Sequence, residues 1–171
     1  MTEPRATRPH MPGYGVSPSA DGMLPWSWAR LRLRASHDYW IATVWPDGRP
    51  HLMPVWGCWD DEAGLWFSSA HGSRKVRNLA ARPTVTVATD DPRNPVVVDG
   101  VAELVTDHDA VERFADALND KYRTGYPMTF FETNALVLVR PHSAFGVADD
   151  RFTESPTRWW FDRDGDHARH E

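Results

Sequence analysis

Six short runs of β-branched, aromatic and aliphatic residues, most of them parted by compact turn signals, limit what this chain can fold into. Residues 40–45 (WIATVW) form the first run, Pro46-Asp47-Gly48-Arg49 a turn signal, and residues 51–59 (HLMPVWGCW) the second; together they predict a hairpin. A second turn over residues 60–64 leads to a strand at 65–69, and residues 84–89 (TVTVAT) supply a fourth. The fifth run, residues 95–105 (PVVVDGVAELV), carries Gly100 where a bulge or barrel corner is expected, and residues 135–140 (ALVLVR) complete the set. Strands of this length and order predict a mainly β protein, closed as a six-stranded antiparallel barrel with peripheral helices.

Three helical segments interrupt the strands. Residues 26–36 form the first, and Val111, Phe114, Ala115, Leu118 and Tyr122 recur at helical spacing behind Asp107 or Asp109 as caps. A short helix starts at Ser73 and ends before Pro83, between the third and fourth strands. A chain of 171 residues holds one such core with tails left over. Residues 1–23 contain Pro4, Pro9, Pro12, Pro18, Gly13, Gly15 and Gly22 with few apolar side chains, so they read as a flexible N-terminal arm. Residues 24–161 are the barrel domain, and the charged and small residues of 162–171 read as a frayed C-terminal tail. Asp162, Asp164 and Asp166 alternate as in a calcium loop, but the glycine falls at Gly165 and no glutamate closes the loop, so calcium is not assigned.

A net charge of −5 argues against binding bulk nucleic acid, which rests on clustered cations that neutralise several phosphates. No stretch approaches the roughly 20 apolar residues of a membrane helix, and the first residues lack an apolar signal core, so a cytoplasmic protein is expected. Cys58 is the only cysteine, which excludes an intrachain disulfide and any multi-cysteine metal centre; between Gly57 and Trp59 it reads as a buried small hydrophobe. His37, His108 and His142 sit at element ends and read as surface or capping residues, and no metal site is assigned.

The chemistry concentrates at the short helix. Ser73 is a good N-cap, and Arg74 and Lys75 then place two cations on the first turn, where the helix macrodipole disfavours them. Free backbone N–H groups, a hydroxyl and two cations at a helix start describe a phosphate site. Arg77 and Asn78 lie one turn on, within reach of the same anion or its neighbour. The only lysines in the chain are Lys75 and Lys121, which makes a lysine inside such a motif less incidental, although a solvated basic turn would have the same sequence.

The hairpin of residues 39–51, the run Met53-Pro54-Val55-Trp56, the segment Trp66-Phe67-Ser68-Ser69 leading to Ser73-Arg74-Lys75-Val76-Arg77-Asn78-Leu79, and the closing Thr157-Arg158-Trp159-Trp160-Phe161 stand in a characteristic order. In this order the chain resembles the pyridoxamine 5′-phosphate oxidase-like superfamily of FMN- and F420-binding split β-barrels, over residues 26–161. The resemblance implies that His51, Met53, Pro54, Val55 and Trp56 run along the edge of a flavin-type ring. It places Ser68 and Ser69 near the ribityl chain or phosphate, and Ser73, Arg74 and Lys75 on the phosphate with Asn78 close by. It also brings Arg158 and Trp159 toward the cofactor and implies a homodimer with the pocket between two protomers.

Two departures matter. A glutamine that pyridoxamine phosphate oxidases use to contact FMN from the partner subunit aligns with Pro95, and their C-terminal Arg/His substrate-phosphate signature is missing. The Thr-Arg-Trp-Trp-Phe ending looks more like the deazaflavin-using branch. The expectation is therefore an F420-dependent oxidoreductase that exchanges hydride with a small conjugated acceptor. The alternatives are an FMN-binding oxidoreductase of the same superfamily and a protein that holds flavin, haem or F420 without turnover. The absence of any triad or carboxylate pair suits hydride transfer, because the cofactor carries that reaction and the protein supplies position and electrostatics.

Overall fold

The structure is a computed structural model that describes residues 3–161. The expected six strands are β2 (Asp38–Val44), β3 (Pro50–Asp60), β4 (Gly64–Ser69), β5 (Thr84–Thr89), β6 (Val96–Val105) and β7 (Ala135–Gly146). They join in the order β7-β4-β3-β2-β5-β6, and a β6–β7 ladder closes the barrel. All pairings are antiparallel. Closure leaves these six strands without the free edge that an open sheet would expose along its whole length. The register shifts between Asp99 and Gly100, where a Cβ on Gly100 would lie 2.4 Å from the Arg140 carbonyl oxygen; the expected bulge glycine is required by close backbone approach.

Strand β7 is the pivot of the fold. One of its edges pairs with β6 along most of its length. The other pairs first with β4, through residues 135–139, and then with β8 (Thr157–Trp160), through residues 143–146. The closing Thr-Arg-Trp-Trp run is thus a strand added outside the barrel. A further strand, β1 (Arg5–Thr7), pairs with β8.

This corrects the expected flexible arm. Residues 5–7 are hydrogen-bonded to β8, and the Arg8 guanidinium donates to the carbonyl oxygens of Ser19, Pro156 and Asp21 at 2.8, 2.6 and 2.8 Å. Composition counts apolar area and misses both anchors, which are backbone pairing and one arginine fork. The expected charged tail, residues 162–171, lies outside the described residues.

Among the described residues four α-helices decorate the barrel: α1 (Trp26–Ala35), α2 (Arg74–Ala81), α3 (His108–Tyr122) and the short α4 (Met128–Glu132), which sequence patterning does not indicate. Asp107 caps α3, accepting from the Ala110 N–H at 2.9 Å. The main core takes the inward residues of the alternating strands, such as Ile41, Phe67, Val87 and Val137, with Leu33 of α1 and Trp159 of β8. A second cluster, in which Phe114, Leu118, Phe131 and Leu136 meet, packs α3 and α4 against the barrel, with Cys58 and Trp66 at its edge. Burial pushes the Cys58 thiol up from its ordinary pKa, in keeping with a packing role. No helix among the described residues is long and apolar enough to cross a membrane.

The β3–β4 turn gives a direct test of this packing. Gly64 has φ +121°, and a Cβ there would stand 2.1 Å from the Val139 carbonyl oxygen. Gly64→Ala should therefore lower unfolding free energy by about 2–3 kcal/mol, seen as a lower denaturant midpoint at an unchanged m-value. An unchanged midpoint would mean that the turn does not take this conformation.

Candidate functional site

The barrel opens where β3 and β4 part. Pairing between them covers only Gly57–Asp60 with residues 64–67, so Ser68 and Ser69 diverge from Trp56 and Val55. Residues 50–56 of β3 pair with β2 on one side and have no β4 partner on the other. Backbone N–H and C=O groups along this edge are therefore available to a ligand. His51, Met53, Pro54 and Trp56 are partly or largely exposed along this stretch, whereas the Val55 side chain is buried in the core and can contribute only its backbone.

Helix α2 begins directly after the parting of β3 and β4. The Ser73 hydroxyl accepts from the Val76 N–H at 3.4 Å, the expected N-cap, and leaves the N–H groups of Arg74 and Lys75 without an acceptor inside the helix. Ser69 Oγ donates to Ser73 Oγ at 3.1 Å, and Lys75 Nζ donates to Ser69 Oγ at 3.2 Å. Ser69, Ser73 and Lys75 thus converge at the helix start. No carboxylate pairs with Lys75 among the described residues, and partial burial holds its ammonium below the usual lysine range. A desolvated cation beside two hydroxyls and free N–H groups, with no protein anion to neutralise it, fits a phosphate.

Arg74 does not join this grip. Its guanidinium lies 3.6 Å from the centre of the Trp45 ring, and Arg49, ion-paired with Asp47 at 2.8 Å, sits 4.5 Å from the same ring. Burial, followed by the neighbouring charges of Arg77 and Arg49, lowers the pKa of Arg74. The 45–49 turn and the start of α2 therefore form one cationic surface on an acidic protein, which raises the local concentration of anions. The sequence gives Trp45 no site role of its own; its place at the end of an exposed hairpin strand is the signal that marks it.

Asn78 is also displaced from its expected place. It is 1% exposed and points into the barrel wall, where its amide donates to Thr43 Oγ1 at 3.0 Å. Thr43, equally buried, lies 3.3 Å from His51 Nδ1. Ser68 falls on the face of β4 shared by Trp66, toward α3 and α4, because side chains alternate along a strand; only Ser69 faces the helix start. Trp56 stacks on Tyr122 with ring centres 4.5 Å apart at the far end of β3 from His51. Tyr122 has no counterpart in the sequence reading beyond its helical spacing, and its hydroxyl meets the Gly57 N–H at 3.0 Å.

The closing strand is where the expected site is corrected most. Trp159 is fully buried, packed edge-on against Trp26 with ring centres 5.6 Å apart, because β8 turns alternate residues into the space below α1. It is a core residue and lines no open surface. Arg158 pairs across from Phe145, whereas Ser69 pairs across from Ala135. The two positions stand ten residues apart on β7, on the order of 30 Å of strand. One chain therefore does not bring Arg158 to Lys75. Among the described residues no cluster of His, Cys, Asp and Glu is arranged to hold a metal ion.

The fold recurs in solved structures. The conserved hypothetical protein Rv2991 from Mycobacterium tuberculosis superposes with a TM-score of 0.66 at 23% identity, over 74% of this chain and 86% of that one. A protein described as F420 reductase gives 0.57 at 28% identity, over 67% of this chain and 94% of that one. HutZ, the haem storage protein from Vibrio cholerae, gives 0.56 at 19% identity, over 66% and 87%. No curated protein matches the chain by sequence. Residues 29–144 match the family described as pyridoxamine 5′-phosphate oxidase, a span that runs from α1 through the open edge of β3 and the start of α2 to β7. The chain belongs to the pyridoxamine 5′-phosphate oxidase family.

Proposed function

We propose that this protein is an F420-dependent oxidoreductase that holds the cofactor by its phosphate at Ser69, Ser73 and Lys75 and exchanges hydride between it and a small conjugated acceptor. The observation that carries this reading is the unneutralised Lys75 ammonium beside two serine hydroxyls at the start of α2. The preference for F420 over FMN rests on the likeness to a protein described as F420 reductase, at 28% identity over 67% of this chain, and on the Thr157-Arg158-Trp159 ending. When bound, such a cofactor supplies the hydride chemistry itself. The chain's own residues bind and orient: Lys75 and the serines take the anion, and the open edge of β3 from His51 to Trp56 offers backbone donors and acceptors. The Trp56–Tyr122 stack presents a flat apolar surface beside that edge.

Turnover tests this reading. Purified protein given reduced F420 and a panel of quinone, enone and nitro acceptors should oxidise the cofactor in an acceptor-dependent way. Binding without such oxidation would leave a carrier, and acceptor-dependent oxidation of reduced FMN alone would reassign the cofactor.

The same reading includes a homodimer. Trp40, Leu52, Met53 and Trp56 are exposed by 43, 57, 44 and 43%, an unusual apolar surface for a chain that works alone. Beside them an open groove of about 540 Å³, lined by Ala42, Val44, Pro50, Val101 and His142, crosses the outer face of the barrel. A second copy covering this face also supplies a route for Arg158 to approach the site from the partner. Sedimentation equilibrium at micromolar concentration should give twice the 19.5 kDa chain mass. A monomer throughout would remove both the interface and the partner's contribution.

A further inference from the structure

Beneath the start of α2, three polar side chains form a chain that the binding reading does not use. Asn78 Nδ2 donates to Thr43 Oγ1 at 3.0 Å, and Thr43 Oγ1 lies 3.3 Å from His51 Nδ1. Asn78 and Thr43 are each 1% exposed, and Asn78 Oδ1 is buried without a partner. Because the Thr43 oxygen already accepts from Asn78, its own hydrogen is free to be donated to His51 Nδ1. That ordering puts the imidazole proton on Nε2. In the reverse ordering the Thr43 oxygen accepts from both Asn78 and His51 Nδ1–H, and its own buried hydrogen is left without an acceptor among the described residues. Leaving a buried hydroxyl hydrogen unpaired is costly, so the first ordering, in which Thr43 donates to His51 Nδ1, is favoured.

We propose that Asn78 and Thr43 are positioning residues that hold His51 as its Nε2–H tautomer, so that the neutral imidazole offers a hydrogen-bond donor to the anionic ligand of α2. His51 lies on the open edge of β3, and its ring meets Trp45 edge-on with centres 6.4 Å apart; Trp45 in turn carries Arg74. Nε2 is on the ring edge away from Thr43 and has no hydrogen-bond partner among the described residues. The relay couples the helix that grips the phosphate to the strand that flanks the rest of the ligand. Its ligand part rests on the proposed cofactor site, whereas the tautomer does not.

The test is ¹⁵N NMR of the imidazole rings in ligand-free protein, at a pH where His51 is neutral and with its signals assigned by loss in His51→Gln. The wild type should show the Nε2–H pattern, Thr43→Val should lose it, and Thr43→Ser should restore it. FMN added as probe should shift the Nε2 signal, and Thr43→Val should weaken FMN binding by about three- to tenfold with recovery in Thr43→Ser. An Nδ1–H pattern in the wild type, or a tautomer unchanged in Thr43→Val, overturns the relay whatever the protein binds. A lost tautomer with unchanged FMN affinity overturns its role toward the ligand. The anion site itself is judged separately, by Lys75→Ala.

Discussion

Replacing Lys75 by alanine should weaken cofactor binding roughly tenfold to a hundredfold and leave the barrel folded, since one charge-assisted hydrogen bond is worth about 1.5–3 kcal/mol. Its ammonium is partly buried, donates only to Ser69 Oγ and faces no carboxylate among the described residues. Burial lowers its pKa in the folded protein, so at neutral pH the charged form is less favourable folded than unfolded. The sign of the stability effect follows. Charged Lys75 destabilises the ligand-free protein at every pH below its lowered folded pKa, and the penalty disappears once pH passes the ordinary lysine range, about 10.4. The position is also the first turn of a helix, where a cation opposes the dipole. Lys75→Ala should therefore melt at slightly higher temperature than the wild type at neutral pH, with the difference closing in strong alkali. Added phosphate or sulfate should raise the melting temperature of the wild type more than that of the variant. A lysine serving only as a surface ion pair gives the opposite pattern, a small loss of stability and unchanged affinity.

Trp159→Ala should have the largest effect on stability, about 3–5 kcal/mol, the range for removing a buried tryptophan or phenylalanine. Its ring is fully buried, meets Trp26 edge-on, and comes so close to Gly146 that a Cβ there would lie 3.0 Å from it. Cofactor affinity, measured at matched folded fraction, should not change. A loss of affinity without loss of stability would return Trp159 to the ring site implied by family resemblance. The same replacement at Trp56, exposed by 43% and stacked on Tyr122, removes far less buried surface and should leave the core intact.

The contrast between these two tryptophans shows what the sequence could reveal. Alternating β-branched runs and turn signals marked the six barrel strands, and the same local logic marked Ser73 as the cap of α2, because caps and strand faces are decided within a few residues. The fate of Trp159, Arg158 and residues 5–7 depended on where β8 attaches. That is a pairing with the distant second half of β7, and no neighbouring residue announces it. Asn78 was in principle legible. It follows Val76 and precedes Leu79 on a short helix whose apolar side must face the barrel, so its polar group had to find a buried partner, and Thr43 is on the inward face of β2. Arg74 departs from expectation for a different reason: adjacent cations at a helix start look equivalent in sequence, whereas only Lys75 reaches Ser69 and Arg74 is drawn to the face of Trp45.

Binding of a flavin-type cofactor's phosphate at the start of α2 should be visible when ligand-free protein is titrated with F420 and, separately, with FMN while tryptophan fluorescence is followed. Trp45 carries Arg74 on its ring and Trp56 flanks the open edge of β3, so ligand at this site has reporters at both ends. Phosphate binding at the start of α2 predicts saturable quenching by F420, tighter than by FMN, with the affinity falling roughly tenfold or more in Lys75→Ala. Quenching by neither cofactor, or equal affinity in the wild type and Lys75→Ala, would contradict it.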